Sequence, residues 1–122
     1  TPPVFPVYAS LLTLQWLKNL GGIAAIEKIN NQKAELLYNE IDNNPLFEGT
    51  AAKEDRSKMN ATFVLKDESH QEQFDKLWKE AGISGLTGHR SVGGYRASMY
   101  NALPLESVQV LVNVMQELKN RV

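Results

Sequence analysis

From Met59 to Lys66 the side chains fall into two alternating sets, Met59, Ala61, Phe63 and Leu65 against Asn60, Thr62, Val64 and Lys66. That period of two belongs to a strand with one face on a core. The runs before and after it follow the helical period instead. Strands grouped with separate helices favour an α+β layer, here a small, mostly antiparallel sheet covered by helices on one face and preceded by two helices. With 122 residues and 43% hydrophobic content, one modest core and a single domain are expected.

Thr1-Pro2-Pro3-Val4-Phe5-Pro6 reads as non-helical, because its prolines remove donors and restrict the residues before them. A first helix is expected from about Val7 to Asn19, with Val7, Leu11 and Leu14 on a face widened by Tyr8, Leu12 and Trp16. Tyr8 and Trp16 read as core or interface aromatics, and Gly21-Gly22 stops the helix. A longer helix runs from Ile23 to about Asn43. Ile26, Ile29, Leu36, Leu37 and Ile41 supply its buried stripe, while Glu27, Lys28, Lys33, Glu35 and Glu40 face out. Leu46 to Lys58 reads as a short extended piece and a polar loop. After the alternating strand, Ser69-His70-Gln71-Glu72 fits a capping box for a helix that Gly82 closes, with Phe74, Leu77, Trp78 and Ala81 on its apolar face. Strand-like pieces follow at Leu86–Thr87 and Tyr95–Tyr100. Pro104 stands at the first turn of a last helix striped by Val108, Leu111, Val112, Met115 and Leu118.

Charge and composition remove several function classes. Thirteen basic and fourteen acidic residues leave a net charge of −1, which makes no case for nucleic acid or a membrane surface. No apolar run approaches the roughly 20 residues that span a bilayer. Cysteine is absent, which rules out disulfides and thiolate metal sites and suits the cytoplasm. His70 has no second ligand at metal-binding spacing, so no metal site is read.

The chemistry gathers between Gly85 and Pro104. His89, Arg90 and Arg96 carry donors, and no acid lies between Gly82 and Glu106. A guanidinium fork matches carboxylate or phosphate oxygens, and an imidazole adds a donor. Gly88, Gly93 and Gly94 allow sharp turns and close backbone approach. Arg96 follows Arg90 by six residues across Gly93-Gly94, so it can face the same small volume from an adjacent strand. Two such clamps suit a doubly anionic small molecule. Taken singly, an Arg on a strand is a solvated residue and a glycine pair is a bend. Their combination, with the deficit of acids, points to an anion site.

The block Gly88-His89-Arg90-Ser91-Val92-Gly93-Gly94-Tyr95-Arg96-Ala97-Ser98-Met99-Tyr100-Asn101-Ala102 resembles the C-terminal signature of the phosphoserine aminotransferases, class V and fold type I pyridoxal-phosphate enzymes. The Thr1-Pro2-Pro3 opening with its Tyr-containing helix, and the Trp16…Gly21-Gly22 helix end, resemble further segments in the same order. The resemblance implies a C-terminal fragment spanning 1–122, in which 1–44 are helices linking to a missing large domain and 45–122 form the small α+β domain. It implies transfer of an amino group between glutamate/2-oxoglutarate and 3-phosphohydroxypyruvate/phosphoserine in serine biosynthesis, by a cytoplasmic homodimer. It further implies that Arg96 grips the substrate carboxylate, that His89 and Arg90 hold the substrate phosphate, and that Thr1 contacts the phosphate of pyridoxal 5'-phosphate bound in the neighbouring subunit. The Schiff-base lysine would belong to the large domain, since no lysine here sits in the family's lysine motif, so this piece alone is expected to be inactive. The other reading is a free-standing binding module that senses a small anionic ligand through the same His89-Arg90…Arg96 cluster.

Overall fold

The computed structural model describes Thr1–Val122. Two consecutive helices, α1 (Val4–Leu20) and α2 (Gly22–Asn43), lead into β1 (Phe47–Gly49), β2 (Asn60–Leu65), α3 (Gln71–Glu80), β3 (Tyr95–Ser98) and α4 (Leu105–Arg121). The three strands form one antiparallel sheet in the order β1-β2-β3. Phe63 lies opposite Gly49 on one side and Tyr95 on the other, and Thr62 pairs with Arg96. The α+β layer expected from the alternating run is the architecture observed.

One hydrophobic cluster joins the sheet to α2, α3 and α4. Ala61 and Phe63 of β2 are fully buried, as their alternation requires, and Tyr95 and Ala97 of β3 point the same way. Phe74 from α3 meets the ring of Tyr95 edge-on at 4.9 Å, while Phe63 stacks on Tyr95 at 5.5 Å. Such aromatic pairs contribute about 0.5–1.5 kcal/mol beyond the area they bury. From α4, Val108, Leu111, Val112, Met115 and Leu118 close the core, joined by Val114.

Several elements differ from the sequence expectations, each for a local reason. Helix α1 begins at Val4 and contains Pro6. The first intrahelical bond is Val7 N–H to the Pro3 carbonyl, so the missing N–H of Pro6 falls among first-turn donors that have no intrahelical partner. No residue of α1 is buried, so its apolar face is not a core face. The buried stripe of α2 is Ile26, Asn30, Lys33, Ala34, Leu37 and Ile41, continuing into Asn44 just past its end. Lys33 therefore faces inward, because its spacing from Ile26 and Leu37 places it there whatever its polarity. The capping box at Ser69 is not formed. The Asp67 carboxylate instead accepts the Ser69 N–H, at the start of a 3₁₀ turn (Glu68–His70) that leads into α3. Leu86–Thr87 is not a strand of its own but a single bridge, Thr87 to Tyr95.

Candidate anion-binding site

The segment that carries His89, Arg90 and Arg96 is a narrow loop with two buried feet. Leu86 and Tyr95 are both almost fully buried, and the Arg96 N–H donates to the Leu86 carbonyl at 2.8 Å. Between them the Gly88 N–H donates to the Gly94 carbonyl at 2.9 Å, and the Val92 and Gly93 N–H groups both donate to the His89 carbonyl. The loop is this tight because of its glycines. A Cβ on Gly88 would lie 2.4 Å from the Gly93 carbonyl oxygen, and Gly94 has φ +67° beside Val64 and the Phe63 carbonyl. Neither position tolerates a side chain without opening the loop.

His89 and Arg90 sit at the exposed tip, and Arg96 is exposed on β3. Arg96 lines a cavity of about 390 Å³ bounded by Ser84, Leu86, Ser98, Met99 and Ser107, between β3 and the start of α4. His89 and Arg90 are not among the residues that line it. The chain thus holds the three side chains on one loop and its adjoining strand, without gathering them into one enclosed pocket. None of the three joins an ion pair; the ion pairs of the chain lie at Asp42, Asp67, Glu80 and Glu117. Two guanidinium groups without carboxylate partners can each take a bidentate oxyanion. Thr1 is exposed ahead of α1.

Three supports of this loop were not apparent from sequence. The first is Lys33, which is 0% exposed and donates to the carbonyls of Tyr100 at 2.9 Å, Leu103 at 3.0 Å and Met99 at 3.4 Å. It ties α2 to the segment leaving β3, and burial lowers its pKa. The stripe periodicity of α2 was the signal that could have found it. The second is Asp75, whose carboxylate accepts from the Tyr95 hydroxyl at 2.7 Å and from Trp78 Nε1 at 3.0 Å. Burial first, and then the Asp75 carboxylate, push the Tyr95 phenol far above its ordinary range. The third is Ser91, whose hydroxyl lies 2.7 Å from His89 Nδ1.

No group of three His, Asp or Glu side chains could hold a metal. The lysines also decide what a carbonyl cofactor could find here. Lys33 is committed to three carbonyls, and every other lysine is exposed. Lys33 therefore offers no free amine to a carbonyl cofactor.

The family model for class-V aminotransferases matches residues 1–111. The chain is 79% identical over its whole length to a phosphoserine aminotransferase of Flavobacterium psychrophilum and 56% identical, over 96% of its length, to one of Porphyromonas gingivalis. Among solved structures it superposes on the phosphoserine aminotransferase of Bacillus circulans subsp. alkalophilus with a TM-score of 0.93 at 41% identity, covering 99% of this chain and 34% of that one. A pyridoxal-phosphate-bound phosphoserine aminotransferase from Trichomonas vaginalis matches 95% of this chain and 34% of its own, with a TM-score of 0.85 at 38% identity. The chain spans 34% of the length of the Flavobacterium psychrophilum relative and 33% of the Porphyromonas gingivalis one.

Proposed function

The chain belongs to the class-V aminotransferase family, and from that premise we propose that it is the C-terminal part of a phosphoserine aminotransferase. Residues 45–122 form its small domain and residues 1–44 link to a larger one. The whole enzyme, a cytoplasmic homodimer, moves an amino group between phosphoserine or 3-phosphohydroxypyruvate and glutamate or 2-oxoglutarate. Pyridoxal 5'-phosphate, held mainly outside this chain, supplies the electron sink for that exchange.

In this reading the chain's own residues bind and orient the substrate. Arg96 donates as a bidentate fork to the α-carboxylate common to all substrates. His89 and Arg90 hold the phosphate that only some substrates carry, and Thr1 reaches the cofactor phosphate of the neighbouring subunit. Positioning of this kind replaces entropy that would otherwise be lost in the reaction step. The observation that carries the reading is that His89, Arg90 and Arg96 stand on one glycine-built loop and strand with no ion-pair partner.

The test is amino transfer from phosphoserine to 2-oxoglutarate by the full-length enzyme, followed as glutamate formed. Arg96→Ala should weaken every amino-acid and keto-acid substrate. Arg90→Ala should cost about 10- to 100-fold in kcat/KM with phosphorylated substrates only, the range for one charge-assisted hydrogen-bonded contact. Equal losses with phosphoserine and glutamate in Arg90→Ala would sink the phosphate assignment. A full-length protein that binds phosphoserine and forms no glutamate would instead be a binding module.

A further inference from the structure

We infer that Ser91 is a positioning residue that fixes both the orientation and the tautomer of His89, so that Nε2–H is the donor offered to a ligand. The inference rests on the proposed role of His89 in holding a phosphate, and goes further by stating which atom does it and why.

His89 is exposed at a loop tip, where an imidazole ordinarily rotates freely. Here its ring is held by its own turn. The Ser91 N–H donates to His89 Nδ1 at 3.3 Å, and the Ser91 hydroxyl oxygen lies 2.7 Å from the same nitrogen. An amide N–H can only donate, so Nδ1 must present its lone pair. The hydroxyl facing that lone pair must then donate as well. With Nδ1 bare, the ring proton of the neutral imidazole sits on Nε2, since the hydrogen bond at one nitrogen sets the state of the other. The same turn is closed by the Val92 and Gly93 N–H groups on the His89 carbonyl, so main chain and ring are fixed together.

This arrangement selects for ligand chemistry. An Nε2–H offered from a fixed ring meets an acceptor and rejects a donor. Phosphate oxygens accept, whereas a ligand presenting a hydroxyl or ammonium hydrogen at that point would leave two donors facing each other. Pre-orienting the ring also removes the ordering cost that a free side chain would bring to binding. Arg90, next in the chain, supplies charge; His89, through Ser91, supplies direction.

The test uses the full-length enzyme labelled with ¹⁵N-histidine, with His89→Gln to assign the His89 signals. Ring ¹⁵N spectra should show His89 as one tautomer with Nδ1 unprotonated. In Ser91→Ala only the longer amide contact, at 3.3 Å, is left to hold Nδ1 bare once the 2.7 Å hydroxyl contact is gone, so the Nδ1-protonated form should become detectable, and Ser91→Thr, which keeps the hydroxyl, should restore the single tautomer. Kinetically, Ser91→Ala should raise KM for phosphoserine about threefold to tenfold, the range of a single hydrogen bond, with kcat and the KM for glutamate unchanged. A protonated Nδ1 in the unmodified enzyme, or spectra unchanged by Ser91→Ala, would overturn the inference. If the tautomer responds as described while the affinities for phosphoserine and inorganic phosphate do not move, Ser91 still governs the ring and it is the phosphate role of His89 that falls.

Discussion

Gly88→Ala places a methyl group where the loop has no room. Gly88 does not have a positive φ, so alanine there brings no intrinsic backbone strain and its whole effect is steric. The new Cβ would stand 2.4 Å from the Gly93 carbonyl oxygen, with the Gly94 oxygen at 3.1 Å. Ordinary contact begins near 3.4 Å, so the two arms of the loop must separate by roughly 1 Å, and the obstacle is backbone, which cannot rotate away. The hydrogen bond from Gly88 N–H to Gly94 O, now 2.9 Å, would be lost with that separation, at about 1 kcal/mol. Stability of the fold should therefore fall only slightly. Function should fall much further, because displacing a positioning group by about 1 Å can cost on the order of 100-fold in rate. The assay is kcat/KM of the full-length enzyme with phosphoserine and with glutamate, beside the unfolding midpoint. We expect about a 100-fold loss with phosphoserine and less than tenfold with glutamate, since Arg96 lies beyond the Gly94 pivot. Gly93→Ala is the control. Its φ of +74° brings strain of roughly 1–2 kcal/mol, but a Cβ there meets nothing within 4 Å. If Gly88→Ala retains phosphoserine activity within about threefold, or if Gly93→Ala matches it, tight closure of the loop is not what the site requires.

Three other outcomes follow, two from the supports around the loop and one from the Asp42–Arg56 ion pair. Lys33→Met keeps the buried stem but leaves the Leu103 carbonyl unpaired, so urea unfolding should show a loss of about 2–3 kcal/mol, and Lys33→Gln should recover part of it. The raised pKa of Tyr95 means the unfolded chain ionises first, so stability is complete below about pH 10 and is lost as pH rises above it. Tyr95→Phe should flatten the alkaline slope in unfolding midpoints measured between pH 9 and 12, leaving the smaller part that burial of Tyr38 contributes. The Asp42 carboxylate is held below its usual range mainly by its hydrogen bonds to Arg56, at 2.7 and 2.9 Å, so its contribution is present above pH 3.8 and fades as pH falls further. Asp42→Asn should therefore destabilise the chain at pH 6 and by progressively less as pH falls below 3.8.

The parts of this fold that could be read from sequence are those where side-chain period and chemistry agree. Ala61 and Phe63 are apolar at positions the strand period turns inward, and Val108, Leu111 and Met115 do the same for α4. Lys33 is buried by its spacing in spite of its polarity; the stripe from Ile26 through Asn30 to Leu37 and Asn44 contains three polar residues, each hydrogen-bonded to a partner distant in sequence, although Asn30 Oδ1 is left without one. Strand β1 has only three residues, too few to establish a period, and exists because β2 offers it an edge. At the site, residue types and the missing acids were visible, and so was the need for glycine. The tethers were not: Asp75 reaches Tyr95 across twenty positions, and Ser91 acts on His89 through a turn whose shape no spacing rule encodes.

Helix α1 is a lever. Its 17 residues extend about 26 Å, it buries nothing of its own, and it joins the rest of the chain through Gly21 and Gly22, both at positive φ. A swing of 10° about that glycine joint would carry Thr1 by roughly 4–5 Å at this helix length, more than the length of a hydrogen bond. The sheet and the helices packed on it therefore set the far end of this arm only loosely. Val4, Phe5 and Leu14 remain largely exposed along it, so nothing within the chain fixes where Thr1 points. In such an arrangement two parts of one polypeptide answer to different frames: His89, Arg90 and Arg96 to the sheet they grow from, and Thr1 to the angle taken at Gly21 and Gly22.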